Sequence, residues 1–473
     1  MSDKSEKIQI RLPRGTKDYA GDEYRKMAHL RNIVRSIFAI FRGEYLETPT
    51  FELTDILTNK YGEDEKLIYN LECSKNDDDG EEASDIRGSM FKEVLSLRYD
   101  LTVPLVRYCI MNRVDKMRRC SIGKVYRREA TSASNKRLRE FHQADFDFVG
   151  DFGELQAELS IFAMIQMLFN EIGVRDYEII YNYRQILNLC VEKSNIDPSL
   201  FSTVCSSIDK LDKKDETYVR NELIEKGLTE NEVTGLFEAI DDIRIVPPEV
   251  NKFDQTFRNC LQNMENIDMS KIRLDRTLAR GSDYYTGIIF EVKLTSGTMT
   301  SSVAGGGRYD ELIPSYAPSK KSKKQRKIEA VMIAEGKVVP KETFPMIGFS
   351  FGLDRLLDLV NIDTVEEKNR PVWVATIGKK FEQNDEETDS LILKMRVVSK
   401  LQVNGIPTLY NTRSRKFGKE IRDAEDANCS HTIIIGEREY SENKFKIKEM
   451  DTREETEYSF DELDQVIQSI QKR

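Results

Sequence analysis

The chain has 473 residues, 39% hydrophobic and 33% charged, and a net charge of −10. Such a composition suits a globular protein of two to four domains at roughly 100–200 residues each, and its acidic balance excludes indiscriminate binding to nucleic acid. Seven scattered cysteines without a CxxC pair, and three widely separated histidines (His29, His142, His431), argue for reduced thiols and against zinc or any metal held by His or Cys.

The opening MSDKSEKIQIRLPRG lacks the apolar core of a secretory signal and is too acidic for a typical transit peptide, so a cytoplasmic location is expected. Residues 24–41 carry Leu30, Ile33, Val34, Ile37, Phe38 and Phe41 at helical spacing and lead into a strand over 45–51, where Pro49 predicts an edge or interface position. The charged stretch SKNDDDGEEASD at 74–85 reads as a loop. From residue 98 the pattern alternates with period two. In LRYDLTVP, Asp100 and Thr102 share one strand face, and in GKVYRRE, Val125, Arg127 and Glu129 share one. In EFHQADFDFVG (140–150), Phe141, Gln143, Asp145 and Asp147 lie on one face, against His142, Ala144, Phe146 and Phe148 on the other. The apolar face predicts packing on helices, His142 included as a core residue, and the polar face predicts the floor of a cleft.

A helix is expected near 154–173, and its apolar run, 155–169, is too short to span a membrane. A strand at 177–181 then gives way to a charged, mostly helical segment, 185–269, that reads as an insertion without a chemistry-bearing motif. Strand patterns resume at 273–292 and 346–359. Past Pro371 the pattern VWVATIG, helix, PTLY, basic helix, HTIIIGE predicts a small α/β domain. Two basic runs remain, 320–327 (KKSKKQRK) and 413–422 (RSRKFGKEIR).

Residues 126–150, YRREATSASNKRLREFHQADFDFVG, resemble motif 2 of the class II aminoacyl-tRNA synthetases, residues 348–357 (GFSFGLDRLL) resemble motif 3, and 43–51 (GEYLETPTF) resemble motif 1. LARGSDYYTG (278–287) and SVAGGGRYD (302–310) are similar to the two signature peptides of the histidyl-tRNA synthetase family, with a eukaryotic cytosolic cast. The likeness covers nearly the whole chain. Small departures are Ser282, where leucine is usual, and Glu311, where a small or amide residue is common; neither has an assigned role.

What the resemblance implies is an α+β class II catalytic domain, with a mixed, mainly antiparallel sheet flanked by helices. It carries a helical insertion and a C-terminal α/β anticodon-binding domain. The expected divisions are catalytic 1–184 and 270–365, insertion 185–269, and anticodon-binding 371–473. The implied reaction joins histidine and ATP into histidyl-adenylate, with Mg²⁺ on the phosphates and no zinc, and then moves histidine to the 3′ end of its tRNA. Carried over by position, Arg127 holds the α-phosphate, Glu129 the adenine amino group and Arg355 the γ-phosphate, while Arg137 or Arg139 contacts the outer phosphates or the tRNA end. Asp100, Thr102 and Gln143 fall at the histidine α-amino group. Asp147 and Tyr285 fall at the imidazole with Tyr284 and Tyr309 nearby, and Arg280 at the carboxylate. Arg280 and Arg127 are the implied catalytic residues; Arg413, Arg415 and Lys416 are tRNA contacts. A homodimer pairing through motif 1 is implied, with no membrane association. The rival reading is an inactive paralogue that senses histidine or uncharged tRNA.

Overall fold

The computed structural model describes residues 10–58, 67–71, 94–131, 137–153, 155–280, 284–296, 302–317, 342–360, 370–378, 386–411 and 416–471. The loops 74–85 and 320–327, Ser282, and Arg413 and Arg415 lie outside them. The chain divides into two compact units, Met1–Asn361 and Ile362–Arg473.

The first unit is built on an eight-stranded sheet. Its strands are β1 (Glu44–Tyr45), β4 (Met117–Tyr126), β5 (Glu140–Val149), β6 (Tyr177–Tyr183), β7 (Ile272–Leu274), β8 (Ile288–Leu294), β9 (Ala304–Arg308) and β10 (Met346–Gly352), in the order β1-β4-β5-β10-β9-β8-β6-β7. Only β1–β4 and β6–β7 pair in parallel, so the sheet is mixed and mainly antiparallel, as expected. A separate ribbon joins β2 (Phe51–Leu53) to β3 (Leu95–Leu97).

Helices α1 (Gly21–Ile40) and α3 (Gln156–Glu171) cover one face of the large sheet. Phe38 of α1 meets Phe146 of β5 edge-on with 5.3 Å between ring centroids, and Phe349 of β10 at 6.4 Å. Ala144, Phe146 and Phe148 are fully buried there, which is the predicted use of that face. His142 is also in the core, with Nδ1 3.4 Å from Asp354 Oδ2.

Two expected elements differ. The strand predicted over 45–51 stops after Tyr45, and the chain rejoins a ladder only at Phe51, in the small ribbon. Pro49 has no N–H for a ladder, which accounts for the break. Thr102 is not on a strand either: it begins α2 (Thr102–Asn112). Asp100 Oδ1 accepts the N–H groups of Thr102 and Val103 at 3.1 and 3.0 Å, and Pro104 falls in the first turn, where its missing N–H costs nothing.

Between β6 and β7 run five helices, α4 (Arg184–Lys193), α5 (Phe201–Ile208), α6 (Glu216–Glu225), α7 (Glu230–Asp241) and α8 (Pro248–Gln262). Local signals start several of them. Thr229 and Glu232 form a capping box for α7, Asp215 caps α6, and Pro248 opens α8.

The second unit holds a five-stranded sheet of β11 (Val372–Ile377), β12 (Thr408–Tyr410), β13 (His431–Gly436), β14 (Lys444–Glu449) and β15 (Glu455–Ser459), ordered β12-β11-β13-β14-β15, with helices α9 (Glu386–Val403), α10 (Phe417–Asp426) and α11 (Leu463–Gln471). The parallel part is the predicted α/β pattern. The antiparallel β14–β15 pair was not read from sequence. Val372, Val374, Val398, Leu401, Ile433 and Phe445 form its dry core.

In the first unit the triple glycine sits within β9, at the centre of the sheet. A Cβ on Gly306 would collide with the Gly348 carbonyl and stand 2.7 Å from Phe349 Cα. Both obstacles are neighbouring-strand atoms that cannot swing aside. Gly306→Ala is therefore expected to lower unfolding free energy by about 1–3 kcal/mol, measured as an earlier denaturant midpoint with an unchanged slope.

Candidate active site

The open face of the large sheet floors a cleft of about 650 Å³. Gln143, Asp145 and Asp147 reach it from β5, Ser350 from β10, Gly305 and Gly306 from β9, and Asp100 and Thr102 from the start of α2. Arg127, Glu129 and Arg137 line it from the segment after β4, and Arg280, Tyr284, Tyr285, Tyr309 and Arg355 complete it. A contiguous hollow of about 230 Å³ shares the arginines, Glu129 and Gln143 but contains neither Asp145, Asp147 nor the tyrosines.

Of the residues picked from sequence, all those in the first unit meet at this cleft except Arg139. Its Nε donates to the Glu129 carbonyl at 3.3 Å, and its backbone carbonyl accepts the Arg127 N–H at 2.9 Å. Arg139 braces the segment, and Arg137 faces the space. Arg127 and Glu129 lie beyond the end of β4, not on a strand face. Arg127 is held by its Nε bond to the Tyr99 carbonyl (3.2 Å) and lies 4.3 Å over the Tyr99 ring and 5.3 Å from that of Phe141. The guanidinium is thereby fixed before any ligand arrives.

Arg127, Arg137 and Arg355 converge closely enough to repel. Burial lowers the Arg355 pKa, and Arg137 and Arg127 push it further in the same direction. Such a cluster is poised to take an anion. Asp354, beside Arg355, is buried, which opposes its charge, but hydrogen bonds from His142 and Tyr19 outweigh this and hold its carboxyl below the usual range.

Arg280 has a left-handed backbone, φ 49°, uncommon for a non-glycine residue and often found at functional sites. Its Nη1 donates to the Phe290 carbonyl at 3.2 Å and lies 3.4 Å from Glu291 Oε1. Burial acts against its charge, but Tyr285 and Glu291 outweigh this and raise its pKa. A Cβ on Gly305 would overlap the guanidinium, so this glycine makes room for Arg280. Ser302 Oγ donates to Glu291 Oε2 at 2.6 Å, and the Ser302 carbonyl accepts from Arg355 Nη1. One serine thus links the holders of two cleft arginines.

The other end of the cleft is built around Arg119, a fully buried residue of β4 that no sequence pattern singled out. Its Nη1 bonds Asp147 Oδ2 at 2.6 Å and lies 3.7 Å from Asp145 Oδ2, while Nη2 bonds the Leu101 carbonyl at 2.9 Å. Tyr309 OH donates to Asp147 Oδ1. Burial raises the pKa of both carboxyls against the pull of Arg119; Asp145 reaches about 7, and the neighbouring Asp147 adds to its rise. Gly348 also stands against Asp147, since a Cβ there would strike its Oδ1.

The helical segment also reaches the cleft. Ser202, Ser206, Asp209 and Lys210, on α5 and the turn after it, line the wall, and Asp212 of the same turn pairs with Lys293 of β8 at 2.5 Å. The expectation that this insertion carries no site chemistry therefore needs correcting. The signal was present: positions 202, 206, 209 and 210 repeat at i, i+4, i+7 and i+8, a polar stripe on one helical face. Glu291 was missed for a different reason, because its role exists only through Arg280.

A sequence model of the family described as "Histidyl-tRNA synthetase" matches residues 15–323, and one described as "Anticodon binding domain" matches 372–470. The chain belongs to the histidyl-tRNA synthetase family. With that family it belongs to the class II aminoacyl-tRNA ligases. The histidine–tRNA ligase, cytoplasmic, of Dictyostelium discoideum is 30% identical over 96% of this chain and 89% of its own length. The cytoplasmic protein of Oryza sativa is 32% identical over 97% of this chain, which spans 54% of that longer relative. A mitochondrial relative from Bos taurus is 31% identical over 98% of this chain and 88% of its own. The crystal structure of histidyl-tRNA synthetase from Nostoc sp. PCC 7120 superposes with a TM-score of 0.70, covering 99% of this chain and all of that one, at 22% identity. That likeness carries the fold. Among the described residues no helix is long and apolar enough to cross a membrane.

Glu291→Gln should leave the cleft intact but loosen Arg280. The expected result in a steady-state assay is a fall in kcat of about ten- to a hundredfold, with the histidine KM within about threefold. An unchanged kcat would show that the Phe290 carbonyl alone suffices to hold the guanidinium.

Proposed function

We propose that the cleft activates histidine with ATP and then passes the histidyl group to the 3′ end of a histidine tRNA. The observation that carries this reading is the division of one cavity into two chemistries. Three converging guanidiniums form an anion pole, and buried carboxylates with tyrosines form an amino-acid pole, with Arg280 lining both. ATP phosphates suit the first pole: Arg127 takes the α-phosphate, Arg355 the γ-phosphate and Arg137 the outer oxygens or the tRNA end, while Glu129 receives the adenine amino group. Histidine suits the second. Its α-amino group meets Asp100, Thr102 and Gln143, its imidazole the end carrying Asp147, Tyr284, Tyr285 and Tyr309, and its carboxylate Arg280.

The chemistry follows from charge. A carboxylate is already a nucleophile at neutral pH, so no general base is required. Attack on the α-phosphate brings two anions together and builds negative charge on phosphate oxygens. Fixed guanidiniums from Arg280 and Arg127 stabilise that charge where it develops, without reorganising. The rest is positioning.

Mg²⁺ fits the donors at this pole. Asp209 and Glu291 both line the hollow, and burial together with the nearby Glu291 pushes the Asp209 pKa up, a strain that a cation would relieve. These two carboxylates would help hold an ion whose remaining ligands are phosphate oxygens and water, and which would neutralise phosphate charge.

The second unit serves as the anticodon-binding domain, with Lys416, at the start of α10, as the described member of the expected tRNA-contact group. Cytoplasmic use is the corresponding location. The alternative, an inactive paralogue sensing histidine or uncharged tRNA, is not favoured: Arg280 is present and held in the cleft. Pairing of two chains through motif 1 is supported by the two-residue edge strand β1 and by a run of exposed apolar side chains, Ile40, Tyr45, Phe51 and Leu53, of the kind that marks an interface.

Arg280→Ala is expected to reduce histidine-dependent ATP–pyrophosphate exchange by about a hundredfold or more while equilibrium dialysis still detects bound histidine. Exchange within about threefold of the parent would remove Arg280 from the catalytic role. For the assembly, light scattering at micromolar concentration should give twice the 54.8 kDa chain mass, and Phe51→Glu should shift the population towards single chains. A monomeric parent would sink the motif 1 pairing.

A further inference from the structure

Residues 13–19 (PRGTKDY) belong to none of the motifs read from the sequence, yet they touch both elements that frame the anion pole. Thr16 closes a tight turn, its N–H and its hydroxyl both donating to the Pro13 carbonyl, at 3.2 and 2.8 Å. The turn holds Gly15 at φ 83°, a left-handed backbone that glycine adopts at little cost. From there the Gly15 carbonyl accepts the N–H groups of Arg139 and Glu140 at 2.7 and 3.3 Å, which fixes the chain where the connection after β4 returns to β5. A Cβ on Gly15 would stand 2.7 Å from Arg139 Cγ and 2.8 Å from Thr131 Cγ2. Gly15 therefore sits between the outgoing limb of that connection and the returning limb, whose Arg139 carbonyl takes the Arg127 N–H.

Four residues on, Tyr19 reaches the other framing element. Its hydroxyl donates to Asp354 Oδ1, and its ring meets the His142 ring edge-on with 5.4 Å between centroids. Asp354 Oδ2 accepts the His142 backbone N–H at 2.5 Å, so this buried carboxylate is bonded through both oxygens and joins the N-terminal segment to β5. Asp354 is the second residue of the short helix Leu353–Leu356, and Arg355 follows it into the cleft. A single helical turn has too few internal hydrogen bonds to fix its own orientation, and the bonds to Tyr19 and His142 supply what it lacks. Gly15 and Tyr19 line neither the cleft nor the hollow beside it.

We propose that residues 13–19 form a clasp for the ATP pole, in which Gly15 sets the base of the motif 2 connection and Tyr19 sets the seat of Arg355. Both are positioning residues, acting through Arg139 and Asp354. The inference rests on reading that pole as the ATP site. Its consequence is a division between the substrates. The clasp ends beside Arg127 and Arg355, whereas the tyrosine end of the cleft is organised around Arg119 and Asp147. Loosening the clasp weakens ATP and leaves histidine in place.

The test is ATP–pyrophosphate exchange by the full chain carrying Tyr19→Phe, which keeps the ring against His142 and removes only the hydroxyl. The ATP KM should rise about three- to tenfold, with the histidine KM within about twofold. Gly15→Ala should move the ATP KM in the same direction by a larger factor, since both limbs of the connection must give way. Calorimetric binding of adenosine 5′-(α,β-methylene)triphosphate to the same variants should weaken by the same factors. An ATP KM within about twofold of the parent in either variant overturns the proposal. So does a histidine KM that rises in step with it, the mark of a general loosening of the domain, and so does unchanged affinity for the analogue, which would place the effect in the chemical step. Should Gly15→Ala not fold, Tyr19→Phe decides alone. Absence of histidine-dependent exchange in the unaltered chain would instead sink the proposed function, and binding of the analogue would then judge the clasp.

Discussion

The cleft depends on one buried cation. Arg119 has no exposure, and it ties β4 to β5 through Asp147 and to the chain just before α2 through the Leu101 carbonyl. Such a group is expensive to bury, and removing one partner of a buried pair typically costs about 3–5 kcal/mol because the other charge is left alone. Here the arrangement holds three segments in fixed register at the end of the cleft that carries the tyrosines. Through Asp147 it also sets the Tyr309 hydroxyl, and so the second signature peptide is anchored to the motif 2 strand pair. Glu158 of α3 does the corresponding work from beneath, bonding Arg308 at the end of β9. The signature segment is gripped by one carboxylate on each side.

A second constraint governs the anion end. Like charges do not gather without structural support, and three of the cleft arginines are braced, Arg127 by Tyr99 and Phe141, Arg355 by the Ser302 carbonyl, and Arg280 by the Phe290 carbonyl with Glu291, while Arg137 lies 4.0 Å from Glu129. The mutual repulsion of these guanidiniums favours an anion between them, the electrostatic preorganisation that phosphoryl and nucleotidyl chemistry calls for.

Much of this was legible in the residues. The alternation of β5 separated Phe146 and Phe148 from Gln143, Asp145 and Asp147, because a strand with one covered face has no other way to distribute them. Thr102 was misread for the same reason in reverse. A short polar–apolar alternation also describes the entry to a helix, and the deciding cues, Asp100 as a cap and Pro104 in the first turn, are local and were outweighed by the periodicity. Arg119 was invisible, since nothing in RRC separates a buried arginine from an exposed neighbour; only the pairing of Arg119 with Asp147 across the β4–β5 ladder does so. The share of the cleft supplied by α5 was readable as a polar stripe but carried no motif, and only tertiary packing gives such a stripe a destination.

The glycine triplet of β9 has an implication for how this site can change. Gly305 faces the Arg280 guanidinium, Gly306 the neighbouring backbone, and Gly307 the Ile288 carbonyl at 2.6 Å and the Tyr285 ring at 2.7 Å. Gly306 and Gly307 are blocked by neighbouring backbone, and a side chain at Gly305 would have to displace the Arg280 guanidinium, so this stretch of the sheet has little freedom to vary. Variation in the lining of the cleft is left to its other contributors, among them Gln143 and Asp145 of β5. A library directed at β5, not at the signature peptide that names the family, is where new substrates for this scaffold would be sought.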